Sequence, residues 1–121
     1  MKIDQLTVQQ KRLSPAEAEL WVVVHVSAIG PTTQIRGNMS GPFCANVQTI
    51  QVAYALKPIK PPGFADNVLV GRILIPEPNL WTADTPFIYE GKVELWVDGK
   101  LTDSKPIRAA FKAACGLAPI T

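Results

Sequence analysis

The chain is short of the groups that do chemistry. It has one histidine, two cysteines and only 18% charged residues. His25 therefore stands without a second imidazole. A Ser-His-Asp site needs a positioned serine and an acid that orients the ring, and no glycine pattern of a nucleophile elbow is present to supply the serine. One imidazole without an acidic cluster does not make a metal site, and the absence of a CxxC pair argues against structural zinc. The stretch Gly37 to Gly41 lacks the spacing and the lysine of a phosphate-cradling loop. No cofactor is expected. Cys44 and Cys115 read either as buried free thiols or as a disulfide, and their spacing does not decide between the two.

Charge of one sign is scarce as well. Twelve basic residues face ten acidic ones for a net +2, and the signs are interspersed. Lys11-Arg12 is among the densest basic spots. A phosphate-tracking surface needs a basic stripe, so nucleic acid is not an expected partner. The longest apolar run, Leu20 to Val24, is far too short to span a bilayer, so no membrane partner is expected either. Met1-Lys2-Ile3-Asp4-Gln5-Leu6 has no apolar core of an export signal, which favours the cytoplasm, with an exported parent protein as the alternative. Long amphipathic helices, internal repeats and low-complexity segments are not found.

What is present is β-pattern and turn chemistry. The chain has 121 residues, 47% of them apolar, enough for one domain over 1–121 with a core that needs no staples. Eleven prolines and eight glycines fall mostly between apolar stretches. Ile3 to Leu13 reads as a first strand. Ser14-Pro15-Ala16-Glu17 reads as a turn, with Ser14 and Glu17 placed as in a capping box. Glu19 to Ile29 is the strongest strand, with Leu20, Val22, Val24, Val26 and Ala28 on one face and Trp21, Val23, His25 and Ser27 on the other. Gly30-Pro31 ends it.

Thr32 to Arg36 is expected as a short edge strand and Gly37 to Pro42 as a loop. Ala45 to Leu56 is β-rich with a break of phase between Val47 and Ile50. Lys57 to Gly63, with three prolines, is expected to be a surface linker. Asn67 to Ile75 is a strand, and so is Phe87 to Val97. Asp98-Gly99 marks a two-residue type I′ hairpin. Lys100 to Phe111 returns antiparallel, and Ala109 to Ala114 is expected as strand or coil. With no helices to carry parallel crossovers, the pattern predicts an all-β, immunoglobulin-like antiparallel β-sandwich of about seven strands.

The segment Pro78 to Glu90 carries the strongest architectural signal. Trp81 sits in a turn framed by Pro78 and Pro86 and is followed by an alternating strand. It is expected as a plug between two sheets. Tyr89 has the inward phase of Val93 and Leu95, so its hydroxyl is expected to find a backbone partner near the preceding turn. Asp84 reads as a turn acid bonding backbone amides. Glu90 and Glu94 share one face of a strand, about 13–14 Å apart along it. A glycosidase pair needs ~5 Å or ~6.5–9.5 Å. Trp21 and Trp96 lie on faces away from the aliphatic sets. Exposed rings there would stack on sugars or form a protein interface. Alternatively, loops such as Lys57 to Gly63 fold over them.

The run Pro78, Leu80, Trp81, Thr82, Asp84, Pro86, Ile88 and Tyr89 resembles the P-x-L-W-[ST]-x-[DE]-x-P-x-L-Y hallmark of the immunoglobulin-like domain of glycoside hydrolase family 2 proteins. Asp98-Gly99 then stands in the place of that domain's turn and Asp103 in that of its final-strand aspartate. Ile73-Leu74-Ile75-Pro76 is similar to the strand that enters the motif. The signature covers about a quarter of the chain. The resemblance implies a sandwich fold and a non-catalytic role as spacer or scaffold. The family's catalytic glutamates belong to its barrel, so none is implied here.

The expected function is thus a non-catalytic scaffold or protein-interaction module, with weak homo-oligomerisation through edge strands. A carbohydrate-binding accessory module using Trp21 and Trp96 is the first rival. An enzyme with a cleft at His25 is the second. The partner is a protein or a carbohydrate.

Overall fold

Alternation of apolar and polar side chains dictates most of the strands, because a β-strand sends successive residues to opposite faces. The computed structural model describes residues 1–45 and 47–112. Its elements are β1 (Ile3–Leu13), β2 (Glu17–Val26), β3 (Gln34–Phe43), β4 (Val52–Ala55), β5 (Lys57–Ile59), β6 (Val68–Pro76), β7 (Leu80–Trp81), β8 (Ile88–Val97), β9 (Lys100–Ala109) and β10 (Phe111–Lys112). On β2, Ala18, Leu20, Val22, Val24 and Val26 are fully buried, while Glu19, Trp21 and His25 are half-buried on the other side.

Two four-stranded antiparallel sheets result, ordered β1-β2-β6-β5 and β4-β3-β8-β9. This order is that of an immunoglobulin-like β-sandwich. The core lies between the sheets and includes Leu20, Val24, Ile35, Met39, Ile73 and Leu95. The chain changes sheets between β4 and β5 at the buried Leu56, whose N–H donates to Gly37 O at 2.9 Å. Asp103 on β9 ties the two sheets at one edge. Its carboxylate accepts from the Ile3 N–H and the Ser104 N–H, both at 2.8 Å. Those two bonds, Ile3 first, hold its pKa below the ordinary aspartate value.

Several expectations change. Gly37 to Pro42 is not a loop: together with part of the expected short edge strand it forms β3, a central strand. Gly37 on β3 and Gly91 on β8 are needed for close approach of the two strands rather than turning. A Cβ on Gly37 would lie 2.3 Å from Lys92 O, and one on Gly91 would lie 1.9 Å from Asn38 O. Of Ala45 to Leu56, Val52–Ala55 is strand. The expected linker Lys57 to Gly63 begins with β5, which pairs with β6. Ser14 and Glu17 close a turn between β1 and β2, Ser14 N–H donating to Glu17 O at 2.9 Å, and no helix forms there. The strand expected over Glu19 to Ile29 runs three residues short of Ile29, ending at Val26. Residues 113 and 114, expected as strand or coil, lie outside the described residues.

The hairpin at Asp98-Gly99 is as expected. Both residues have positive φ, 54° and 74°, which is where glycine is favoured and aspartate tolerated. Thr32 anchors the tip, its Oγ1 donating to Asp98 Oδ1 at 2.6 Å.

Tyr89 is buried near the start of β8, and its hydroxyl accepts from the Asn79 N–H at 2.9 Å. This is the geometry of a tyrosine corner. Burial pushes its pKa above the ordinary tyrosine value, although the Asn79 bond pulls the other way. Phe111 packs against the ring, centroids 5.3 Å apart. Tyr89 and Phe111, not Trp81, thus fill this end of the core. Trp81 is half-buried and lies outside the central cluster. The reason is local. Leu80–Trp81 forms a two-residue parallel pair with Phe111–Lys112, which holds the indole beside the sandwich.

Replacing Tyr89 by Phe should keep the ring packing and lose the bond to Asn79. Chemical denaturation is expected to show a loss of about 0.5–1.5 kcal/mol, with an unchanged m-value. No loss would show that the corner bond adds nothing.

Candidate functional site

Two central strands, one in each sheet, carry the same tetrapeptide. Glu19-Leu20-Trp21-Val22 lies on β2 and Glu94-Leu95-Trp96-Val97 on β8. The sequence reading missed this short repetition, although simple self-comparison reveals it. In each copy the leucine is fully buried, so the glutamate and tryptophan must face outwards two residues apart.

The local geometry repeats too. The Trp21 indole N–H donates to Glu19 Oε2 at 3.0 Å, and that of Trp96 to Glu94 Oε1 at 3.3 Å. Lys11 Nζ stands 4.3 Å from the Trp21 ring centroid, and the Arg36 guanidinium 4.2 Å from that of Trp96. Cation–π contacts of this kind hold a ring to its own sheet. Lys11 reaches its place through a β-bulge. The β1–β2 register shifts between Gln10 and Arg12, leaving Lys11 as the extra residue. Phe64 packs on Trp21 at 6.3 Å, so the covering residue comes just after the expected Lys57 to Gly63 loop.

Charges complete both networks. Glu19 meets Arg12 at 3.7 Å and Arg72 at 3.9 Å, while Glu17 pairs with Arg12. Glu94 meets Lys92 at 3.2 Å. The Trp96 N–H and the Lys92 ammonium hold the Glu94 carboxyl below the ordinary glutamate pKa. Glu90 is exposed and pairs in register with Arg108 across β8 and β9.

The proline-framed turn builds a separate feature. A cleft of about 520 Å³ is lined by Phe43, Cys44, Trp81, Pro86, Glu90 and Arg108, among others. Cys44 is half-buried there as a free thiol, and Cys115 lies outside the described residues. Phe43 and Arg108 carried no signal in the sequence and Cys44 reads there only as a thiol, since the end of β3 and β9 bring them together only in three dimensions. Trp81 bridges in backbone register to Pro86. Thr82 and Thr85 close the turn, the Thr85 N–H donating to Thr82 Oγ1 at 2.9 Å. The role expected of Asp84 thus falls to Thr82, and Asp84 itself is exposed.

The expected site residues therefore stand in separate places. Trp21 and Trp96 are on opposite outer faces. Pro78, Trp81, Asp84, Pro86 and Tyr89 shape one end, and Asp103 locks one edge. His25 is half-buried on β2, opposite Gln5 of β1 and Val68 of β6. Among the described residues no group of three or more His, Cys, Asp or Glu is placed to hold a metal ion.

Residues 1–112 match the family model described as Glycosyl hydrolases family 2. Solved structures with a similar fold include a β-glucuronidase of Bifidobacterium dentium complexed with coumarin-3-O-glucuronide. It has 15% identity and a TM-score of 0.58, over 98% of this chain and 20% of that one. A glycosyl hydrolase family 2 member of Bacteroides cellulosilyticus has 18% identity and a TM-score of 0.53, over 91% of this chain and 16% of that one. A putative β-galactosidase of Bacteroides fragilis has 18% identity and a TM-score of 0.53, over 98% and 19%. The chain thus spans about a fifth of the length of these structures, and at such identities the likeness is one of fold. No curated protein matches the chain.

Two expectations follow. Trp81→Ala should cost about 1–3 kcal/mol in a denaturation experiment, below the ~3–5 kcal/mol of a core Trp or Phe truncation. A loss within the core range would restore the plug role. In an acid titration followed by the Trp96 indole N–H resonance, the transition should fall below the ordinary glutamate range. The sign follows from the depressed pKa: the stabilisation is complete above the unfolded value and fades as pH falls through the folded one. Glu94→Gln should abolish that transition, and a transition at the ordinary glutamate value would refute the network.

Proposed function

This chain belongs to glycosyl hydrolases family 2, and we propose that it serves there as a non-catalytic scaffold, binding neighbouring protein through its surface instead of turning over substrate. One observation carries this reading. The rings that would stack on a sugar are already engaged within the domain. A cation stands over each of the Trp21 and Trp96 rings, and each indole N–H is bonded to the glutamate two residues before it. A stacking platform needs an open ring face. General acid–base catalysis needs two carboxyls converging on one bond, whereas Glu90 and Glu94 lie about 13–14 Å apart along β8.

The relatives of similar fold include a β-glucuronidase and a putative β-galactosidase. In this reading their chemistry belongs to parts of the molecule beyond the fifth that this chain matches. The domain supplies a stiff body with two outer faces and several strand edges.

Two measurements test this. With fluorogenic β-glucuronides and β-galactosides, the purified chain should show no turnover above a heat-denatured control. Turnover lost in His25→Ala or Glu94→Gln would overturn the scaffold reading. In NMR titrations with glucuronic acid and galactose oligomers at millimolar concentration, the Trp21 and Trp96 indole resonances should stay fixed. Saturable shifts of either would favour the carbohydrate-binding reading instead.

A further inference from the structure

Among the described residues the two four-stranded sheets have four outer strands: β1 and β5 in one sheet, β4 and β9 in the other. Among the described residues each leaves N–H and C=O groups unpaired, and natural proteins guard such edges with charge, proline or bulges. Three of the four are guarded. On β9 lie Lys100, Lys105, Pro106 and Arg108. β1 carries Lys11 and Arg12 and two register breaks. β5 has Pro58 at its centre.

β4 has no charge, no proline and no bulge. From Gly37 to Leu56 the sequence contains no charged residue at all. The strand and its approach also expose apolar side chains, with Ile50 88% and Val52 47% accessible. Tyr54, on the same face as Val52, packs against the core.

We propose that β4 is a pairing edge whose occupant is the β4 of a second copy of this chain, joined antiparallel across a two-fold axis so that β4-β3-β8-β9 continues into its twin. Charge selects this occupant. A two-fold interface sets the same patch against itself, so a basic edge such as β9 would oppose its own lysines, and like charges directly opposite destabilise a strand pair. A neutral edge pays no such penalty, and Val52 of each copy packs beside the twin's strand.

The ladder also fixes which backbone groups are free. The Leu56 N–H is used by Gly37 O. Antiparallel pairs alternate between bonded and non-bonded positions. Tyr54 and Val52 therefore bond towards Met39 and Gly41 of β3, their register partners. Ala53 and Ala55 turn their N–H and C=O groups outwards. The shortness of the strand makes the association weak and concentration-dependent. The inference goes beyond the scaffold reading and does not depend on it.

Sedimentation velocity of the whole chain across about 10 µM to 1 mM tests it. The weight-average mass should rise towards that of a dimer. Val52→Lys, at an exposed position, should weaken association at least ~10-fold, equivalent to about 1.4 kcal/mol. Ala53→Pro removes an outward N–H while sparing the β3 ladder, and should do the same. Both variants should keep the wild-type melting temperature. Leu101→Lys, on β9, should associate like the wild type. A chain that stays monomeric at the highest concentration, a dimer untouched by Val52→Lys, or one lost in Leu101→Lys would each overturn the proposal.

Discussion

The aliphatic faces of β2 and β8 pressed towards the same interior are the constraint on which the rest depends. Leu20, Val22, Val24, Val93 and Leu95 are all fully buried. Burying one such side chain is worth about 1.5–3 kcal/mol, so a one-residue slip of either strand would expose the whole set. With the phase fixed, everything else on these strands is fixed too. Glu19, Trp21, Glu94 and Trp96 must face out, and Tyr89 must face in, where its hydroxyl requires a partner.

The outward tryptophans show how such a surface is made tolerable. An indole in water is costly, and each is wrapped by a cation and a carboxylate from its own sheet. The bulge in β1 that lifts Lys11 over Trp21 weakens one ladder position and strengthens the surface it covers. The same bulge blunts an exposed edge. One irregularity thus serves packing and solubility together.

Much of the architecture was legible from the sequence because it rests on local rules. Period-two alternation marked β2, β6 and β8, and Asp98-Gly99 marked its hairpin through backbone sterics alone. The tyrosine corner followed from the phase of one hydroxyl. What failed was information held between strands. Gly37 and Gly41 have the composition of a loop, yet Gly37 is demanded by the backbone of β8 lying against it. Trp81 carries every mark of a core residue, yet the turn pairs its backbone with β10, and Phe111 takes the core place, a partner thirty residues on. Of the candidate surfaces, the outward tryptophans were visible by phase. The cleft of Phe43, Cys44 and Arg108 was not, because no single segment contains it.

The bond from the Ile3 N–H to Asp103 spans a sequence separation of 100 residues. Its consequence lies in the order of manufacture. During synthesis the hairpin of β1 and β2 emerges first, with the inner face of β2 bare, and its lock arrives only with β9. Until β8 and β9 follow, the strongest apolar strand of the domain lacks the complete sheet that covers it. Folding dominated by such distant pairings is slow, so the nascent chain meets its greatest risk of aggregation before the last long strand leaves the ribosome.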